Sequence, residues 1–250
     1  TIISLSYLQA EELENAAKDN PKLKFALVDG EITGKKNISS ATFKDQESAY
    51  LAGLAAAYTT KSDQVGFIGG MEGPVIQRFQ SGFEAGVKAG ATALNKEITV
   101  NVQYAASYDS LDKGKAIAAS MYKEGVDILY QAAGSTGAGV FQEAKARNEN
   151  DYSRKVWVIG VDCDQADEGD YKMENGETGN FTLTSTKKNV GAEVKEFAET
   201  SHNDKFPGGK HLTFGLKEER VDLTKGQLSE EAYQAVSDAK EKIISGDFRL

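Results

Sequence analysis

Cysteine, histidine and proline are scarce in this 250-residue chain, and each scarcity closes off a class of structure. The single cysteine, Cys163, permits no internal disulfide, so stability must come from a hydrophobic core. With two histidines, His202 and His211, beside that one cysteine, a zinc site of the His/Cys type is disfavoured, and no metal or cofactor is expected. Both histidines stand among polar residues near glycine and lysine, where a solvated surface role is expected. Proline occurs only at positions 21, 74 and 207, and no low-complexity linker interrupts the chain. A boundary between lobes must therefore be a crossover between packed bodies. No stretch approaches the roughly 20 apolar residues that span a bilayer. The opening Thr1-Ile2-Ile3-Ser4-Leu5 has no secretion-signal pattern. Positive charge is also in deficit: 29 basic against 38 acidic residues give a formal charge of −9. That balance disfavours nucleic acid and anionic lipid as partners, since both need basic surface to replace counterions.

What is present is alternation. Short, nearly continuous apolar runs at Lys24–Val28, Gln64–Ile68, Thr99–Tyr104, Val126–Gln131, Trp157–Val161 and Phe181–Ser185 read as strands covered on both faces. Helical periodicity marks Glu11–Lys18, Gln46–Thr59, Pro74–Lys88, Lys113–Lys123, Gly137–Ala146, Val190–Thr200 and Ser229–Ser245. In the second of these, Tyr50, Leu51, Leu54 and Tyr58 are expected to share one apolar face. In the third, Val75, Phe79, Phe83 and Val87 form a narrow stripe. Ser229 is placed to cap the last helix and Gly246 to stop it. The pattern predicts an α/β fold with parallel sheets and right-handed crossovers.

In open α/β sheets, ligands bind beyond the carboxyl ends of the strands, so the residues after each strand carry the functional information. They are Asp29-Gly30, Gly69-Gly70-Met71-Glu72-Gly73-Pro74, Ala106-Ser107-Tyr108-Asp109, Ala133-Gly134-Ser135-Thr136-Gly137, Asp162-Cys163-Asp164-Gln165 and Thr186-Lys187-Lys188. Small glycine turns here alternate with isolated carboxylates, amides, a ring and a lysine. A carboxylate can accept two hydroxyl hydrogen bonds and suits a vicinal diol, and a tyrosine ring offers a flat face to a planar base. Enzyme readings fare worse. The glycines from 66 to 73 lack the lysine and hydroxyl of a phosphate-cradling loop, and Glu72 would repel a phosphate. Ser135 has no histidine nearby in sequence for a triad. Asp162 and Asp164 alone are a thin ligand set for a hard cation. The residues by themselves leave open a two-lobed α/β binding protein or an enzyme.

The stretches "ATFKDQESAYLAGLAAA" (41–57) and "VGFIGGMEGPVIQRFQSGFEAGVKAG" (65–90) closely resemble the basic membrane protein family, whose best-known branch is the purine nucleoside receptor lipoproteins. The likeness continues through "YQAAGSTGAGVFQEAK" (130–145), "KVWVIGVDCDQADEG" (155–169), "TLTSTKKNVG" (182–191), "FPGGKH" (206–211) and "KIISGD" (242–247). It implies a two-lobed periplasmic-binding-protein-like fold with parallel sheets, three crossings between lobes and a ligand cleft, the first lobe being incomplete. By the same resemblance, Tyr108 stands where the family more usually has a phenylalanine stacked on the purine. Gly134 and Asp162 match positions that contact the ribose, Lys187 matches an assisting lysine, and Asp29 is a further candidate in the first lobe. The segment bearing the family's lipidated cysteine, first strand and second stacking aromatic has no counterpart in the sequence.

The resemblance further implies residues 1–62 and 184–205 for the first lobe, and 63–183 and 206–250 for the second. The expected function is that of an extracytoplasmic substrate-binding component of an ABC importer. It would present a purine nucleoside to a permease, without catalysis, and be tied to the membrane only by a lipid anchor outside this sequence. The alternative is a ligand-sensing regulatory or surface adhesion protein of the same fold.

Overall fold

The computed structural model describes residues 1–150 and 154–250. In chain order the elements begin with β1 (Ile2–Leu5), α1 (Ala10–Asp19), β2 (Phe25–Val28), β3 (Ile38–Phe43), α2 (Asp45–Thr59), β4 (Gln64–Gly69) and α3 (Pro74–Leu94). There follow β5 (Thr99–Tyr104), α4 (Leu111–Lys123), β6 (Ile128–Ala132), α5 (Gly137–Asn150), β7 (Trp157–Gly160), β8 (Asp170–Lys172) and β9 (Thr178–Asn180). The chain closes with β10 (Thr182–Lys188), α6 (Val190–His202), β11 (His211–Phe214), β12 (Val221–Leu223) and α7 (Glu230–Ser245).

Two compact units emerge, each with its own sheet, parallel throughout in the smaller and parallel but for the edge strand β12 in the larger, where Thr224 N donates to Ser185 O and Asn189 N to Arg220 O. The smaller comprises Thr1–Lys44 and Lys188–Val221, the larger Asp45–Lys187 and Asp222–Leu250. The chain thus passes between them after residues 44, 187 and 221, whereas the sequence suggests 62, 183 and 205. The difference has physical causes. Helix α2 belongs to the larger unit because its backbone lies directly on α3. A Cβ on Gly53 would run into the Phe83 carbonyl oxygen, one on Gly82 into that of Gln46, and one on Gly86 into that of Tyr50. Glycine alone tolerates such an approach. Conversely, residues 206–221 join the smaller unit because β11 pairs in register with β3, His211 opposite Ser40 and Phe214 opposite Phe43.

The smaller unit orders its strands β1-β2-β3-β11, all parallel. Leu13, Ala17, Phe25, Leu27, Ile32 and Ile38 form its buried cluster beneath α1. The larger unit orders its strands β12-β10-β7-β6-β4-β5. A core of Ile68, Met121, Leu129, Val140, Phe141, Val158 and Phe181 packs α4 and α5 onto one face. The stripe Val75, Phe79, Phe83 and Val87 is buried as its spacing predicts. Helix α2 departs from expectation: nearly every residue from Asp45 to Ala57 is buried, so it has no polar face. Its acid Asp45 is fully enclosed and accepts bonds from Arg78 Nε at 3.2 Å and Nη2 at 3.1 Å.

Several strands carry no continuous apolar signal. β3 reads ISSATF, yet its serines are buried because their hydroxyls are bonded. Ser39 Oγ donates to Lys210 O at 3.1 Å, and Ser40 Oγ to Ile32 O at 2.9 Å. His211 is likewise no solvated surface residue. Its Nδ1 lies 2.8 Å from Ser40 Oγ and its Nε2 3.0 Å from Thr42 Oγ1, which ties β11 to β3 through the imidazole. His202 is exposed, as expected.

Candidate functional site: the carboxyl tips of the strands

Five adjacent strands of the larger sheet run parallel, so their carboxyl tips form one edge in the order β10, β7, β6, β4, β5. Along this edge lie Lys187, Asp162, Gly134, Gly70 and Tyr108, four of which the sequence singles out as ligand contacts.

The backbone at these tips is unusual. Ala106 (φ 50°), Gly134 (φ 57°) and Asp162 (φ 66°) are all left-handed, and in the smaller unit Asp29 at the tip of β2 has φ 62°. A left-handed alanine or aspartate costs about 1 kcal/mol or more, and such residues gather where chain direction matters for function.

Tyr108 is half-buried and not a free surface ring. Its edge lies against Gly70, where a Cβ would collide with the ring's Cδ1 and Cε1. Gly134 also borders the residue, since a Cβ there would approach the Tyr108 carbonyl oxygen to 3.2 Å and ring atom Cδ1 to 3.6 Å. Gly70 is thus more than a turn former: it makes room for the ring. The Tyr108 loop is also bonded to its neighbour. Thr136 N donates to Tyr108 O at 3.1 Å, Thr136 Oγ1 donates to Ser107 O at 3.2 Å, and Ser110 N donates to Thr136 Oγ1 at 2.9 Å. The Thr136 hydroxyl in the Gly134–Gly137 turn is therefore a buried tie, while its neighbour Ser135 is exposed.

Asp162 is exposed at the tip of β7, next to the Gly134 tip. Asp164, which the sequence offers beside it as a cation ligand, caps the turn locally by accepting Ala166 N–H at 3.1 Å. Among the described residues no cluster of histidine, cysteine, aspartate and glutamate could hold a metal ion. Cys163 is exposed. Burial and then the charges of Asp162, Glu168 and Asp164 push its thiol up from the ordinary value.

The two lysines of β10 part company, because successive side chains of a strand point to opposite faces. Lys187 is about half exposed, with Nζ 3.8 Å from Asp222 Oδ2. Lys188 is the enclosed one: within the smaller unit its Nζ donates to Asp29 Oδ2 at 3.0 Å, and its side chain is 5% exposed. It also lies 5.6 Å from the centre of the Phe43 ring. The second oxygen of Asp29, Oδ1, is buried without a hydrogen-bond partner among the described residues. A buried carboxylate oxygen left unpaired is costly. Lys188 was not distinguishable from Lys187 by residue type. Strand parity, had the register been known, would have separated them.

Two units, each with a mainly parallel sheet and with polar groups at its strand tips, define a two-lobed α/β protein of the solute-binding type. Residues 1–249 match the family described as ABC transporter substrate-binding protein PnrA-like, and the chain belongs to that family. It is 50% identical over 232 residues to the ABC transporter nucleoside-binding protein BmpA of Lactococcus lactis, covering 92% of this chain and 65% of that protein. A CD4+ T-cell-stimulating antigen of Listeria monocytogenes is 43% identical over 251 residues, covering 100% of this chain and 69% of that one. The chain thus spans about two thirds of the length of these relatives. Among solved structures, an ABC transporter solute-binding protein of Aeropyrum pernix superposes with a TM-score of 0.85 at 25% identity, over 99% of this chain and 76% of that one. No helix among the described residues is long and apolar enough to cross a membrane.

Proposed function

We propose that this chain is the ligand-binding part of an extracytoplasmic receptor that captures a purine nucleoside in an interlobe cleft and hands it to an ABC permease. The observation that carries the reading is the Asp162–Gly134–Tyr108 edge: an exposed carboxylate, an open glycine turn and a braced ring at the strand tips of one sheet edge. The carboxylate suits sugar hydroxyls, each such charge-assisted bond contributing about 1.5–3 kcal/mol. The ring offers a flat apolar face to the base. Kinship with a protein named as nucleoside-binding supports the same ligand class. Asp29 is the corresponding candidate in the smaller unit, and Lys188, its buried partner, replaces Lys187 as the lysine to test there. No catalytic step is assigned. Tyr130 is fully buried with its phenol raised well above the usual range, chiefly by burial, so it stays neutral and bonds to Thr186 Oγ1 at 2.9 Å.

Two measurements test the reading. Small molecules released from the purified protein by denaturation and weighed by mass spectrometry should include an unaltered purine nucleoside. Calorimetry with inosine or guanosine should give saturable binding that Asp162→Ala weakens at least about tenfold. Unchanged affinity in that variant removes Asp162 from the site. A cleaved base or free ribose among the released molecules would make the protein an enzyme.

A further inference from the structure

β6 and β7 pair as far as Tyr130 and Ile159 and no further. On their outer sides, β6 continues with β4 to Ala132 and β7 with β10 to Gly160. The sheet therefore forks just short of the Gly134 and Asp162 tips. Two side-chain amides bridge the fork. Gln131 Nε2 donates to Gln165 Oε1 at 2.9 Å. The same Oε1 accepts the Val161 N–H at 2.8 Å, and Gln131 Oε1 accepts the Ala133 N–H at 3.3 Å. The bridge thus grips the peptide immediately before Gly134 on one strand and the peptide immediately before Asp162 on the other.

The rest of the fold is arranged around this pair. Gln131 is 1% exposed. A Cβ on Gly137 would collide with its amide oxygen, and a Cβ on Gly160 would come within 2.9 Å of Gln165 Oε1. Gln165 is anchored in turn: its backbone N donates to Ser185 Oγ at 3.1 Å, its carbonyl accepts Thr182 Oγ1 at 3.1 Å, and its Nε2 donates to Glu168 Oε1 at 2.9 Å. Neither amide can flip without setting donor against donor, so the bridge has one orientation.

We infer that Gln131 and Gln165 are a positioning pair that sets the separation of the Gly134 and Asp162 tips, and thereby the protein's preference for ligands presenting both sugar hydroxyls. The use made of that separation rests on the nucleoside reading above; the bridge does not. Two measurements on Gln131→Leu and Gln165→Leu therefore decide the two parts independently. In the ligand-free protein, amide exchange at Ala133 and Val161 should rise about fivefold or more in each variant, because losing either amide loosens both tips. A rise confined to the amide that the altered side chain itself touches overturns the coupled bridge. In titrations, each variant should lose about tenfold in affinity for a ribonucleoside and less than about twofold for its 2′,3′-dideoxy analogue. Equal losses for both ligands, or none, overturn the positioning role. If the unaltered protein binds neither ligand, the nucleoside reading falls and the positioning role with it, while exchange still decides the bridge. Circular dichroism checks that the variants fold, and Gln165→Met substitutes for the leucine variant if it does not.

Discussion

Glu193 gives the strongest pH-dependent prediction. It lies in the first turn of α6, is fully buried, and neither of its carboxylate oxygens has a hydrogen-bond partner among the described residues. Arg220 is near but poorly placed, with Nε 4.0 Å from Glu193 Oε2. Its Nη2 is engaged with Glu196 at 2.9 Å. Burial first, then the Glu196 charge, push the Glu193 carboxyl from 4.5 to about 7, with Arg220 pulling it back. The folded state therefore holds this proton more tightly than the unfolded chain does. The resulting stabilisation is fully present below about pH 4.5 and is lost as the pH rises through about 7. The gap corresponds to about 3 kcal/mol, and the α6 N-terminus, which favours the charged form by about 0.3–1 kcal/mol, trims it to about 2 kcal/mol. Glu193→Gln imitates the protonated acid. In urea unfolding it should match the parent within about 0.5 kcal/mol at pH 4 and exceed it by about 2 kcal/mol at pH 8.5. An equal difference at both pH values refutes the reasoning. A variant less stable than the parent at pH 8.5 would make the Glu193–Arg220 pair a net stabilising ion pair.

Three further substitutions probe the framework and the site. Gly86→Ala places a methyl group against the Tyr50 carbonyl at the α2–α3 seam, and overpacking of this kind should cost about 1–3 kcal/mol in thermal or urea unfolding. Asp127 accepts Thr60 Oγ1 at 2.7 Å, Lys61 N at 2.7 Å and Ser62 N at 3.0 Å. Asp127→Asn should therefore destabilise the protein by about 1.5–3 kcal/mol. Tyr108→Phe should keep nucleoside affinity while Tyr108→Ala loses about tenfold or more in titration, because a flat ring against the base is all the stacking needs. Equal affinity in all three proteins removes Tyr108 from the site.

The strands legible in the sequence are those whose signal is apolar continuity. Trp157–Gly160 falls where its side chains demand a buried strand, whereas Thr99–Tyr104 forms a strand but lies half-exposed at the sheet edge, with a neighbour on one side only. The strand that eluded it most clearly, Ile38–Phe43, satisfies its buried serines with partners some 170 residues away in the chain, which no local window contains. Helix α2 shows a related limit. Periodicity identifies it as helical but not as wrapped on all sides, because the glycines that admit it to α3 read as small residues only. At the candidate site, Tyr108, Gly134 and Asp162 are legible because they follow strands. That Lys188 and not Lys187 is the enclosed lysine is not legible, since the two differ only in which face of β10 they occupy. The Gln131–Gln165 bridge is silent in sequence for a similar reason: two ordinary glutamines acquire meaning only where a parallel pair diverges.

Cys163 gives the protein a built-in reporter position. Because the chain has one cysteine and its thiol is exposed, a thiol-reactive fluorophore would attach at a single place, one residue beyond Asp162. Its neighbouring carboxylates and partial burial disfavour the thiolate, so coupling should go slowly near neutrality and quicken under alkaline conditions. Once attached, the dye would sense occupancy of the strand edge through its own change in solvation. Under the proposed nucleoside reading, the same arrangement makes modification a hazard, since a bulky adduct would share its space with the incoming ligand.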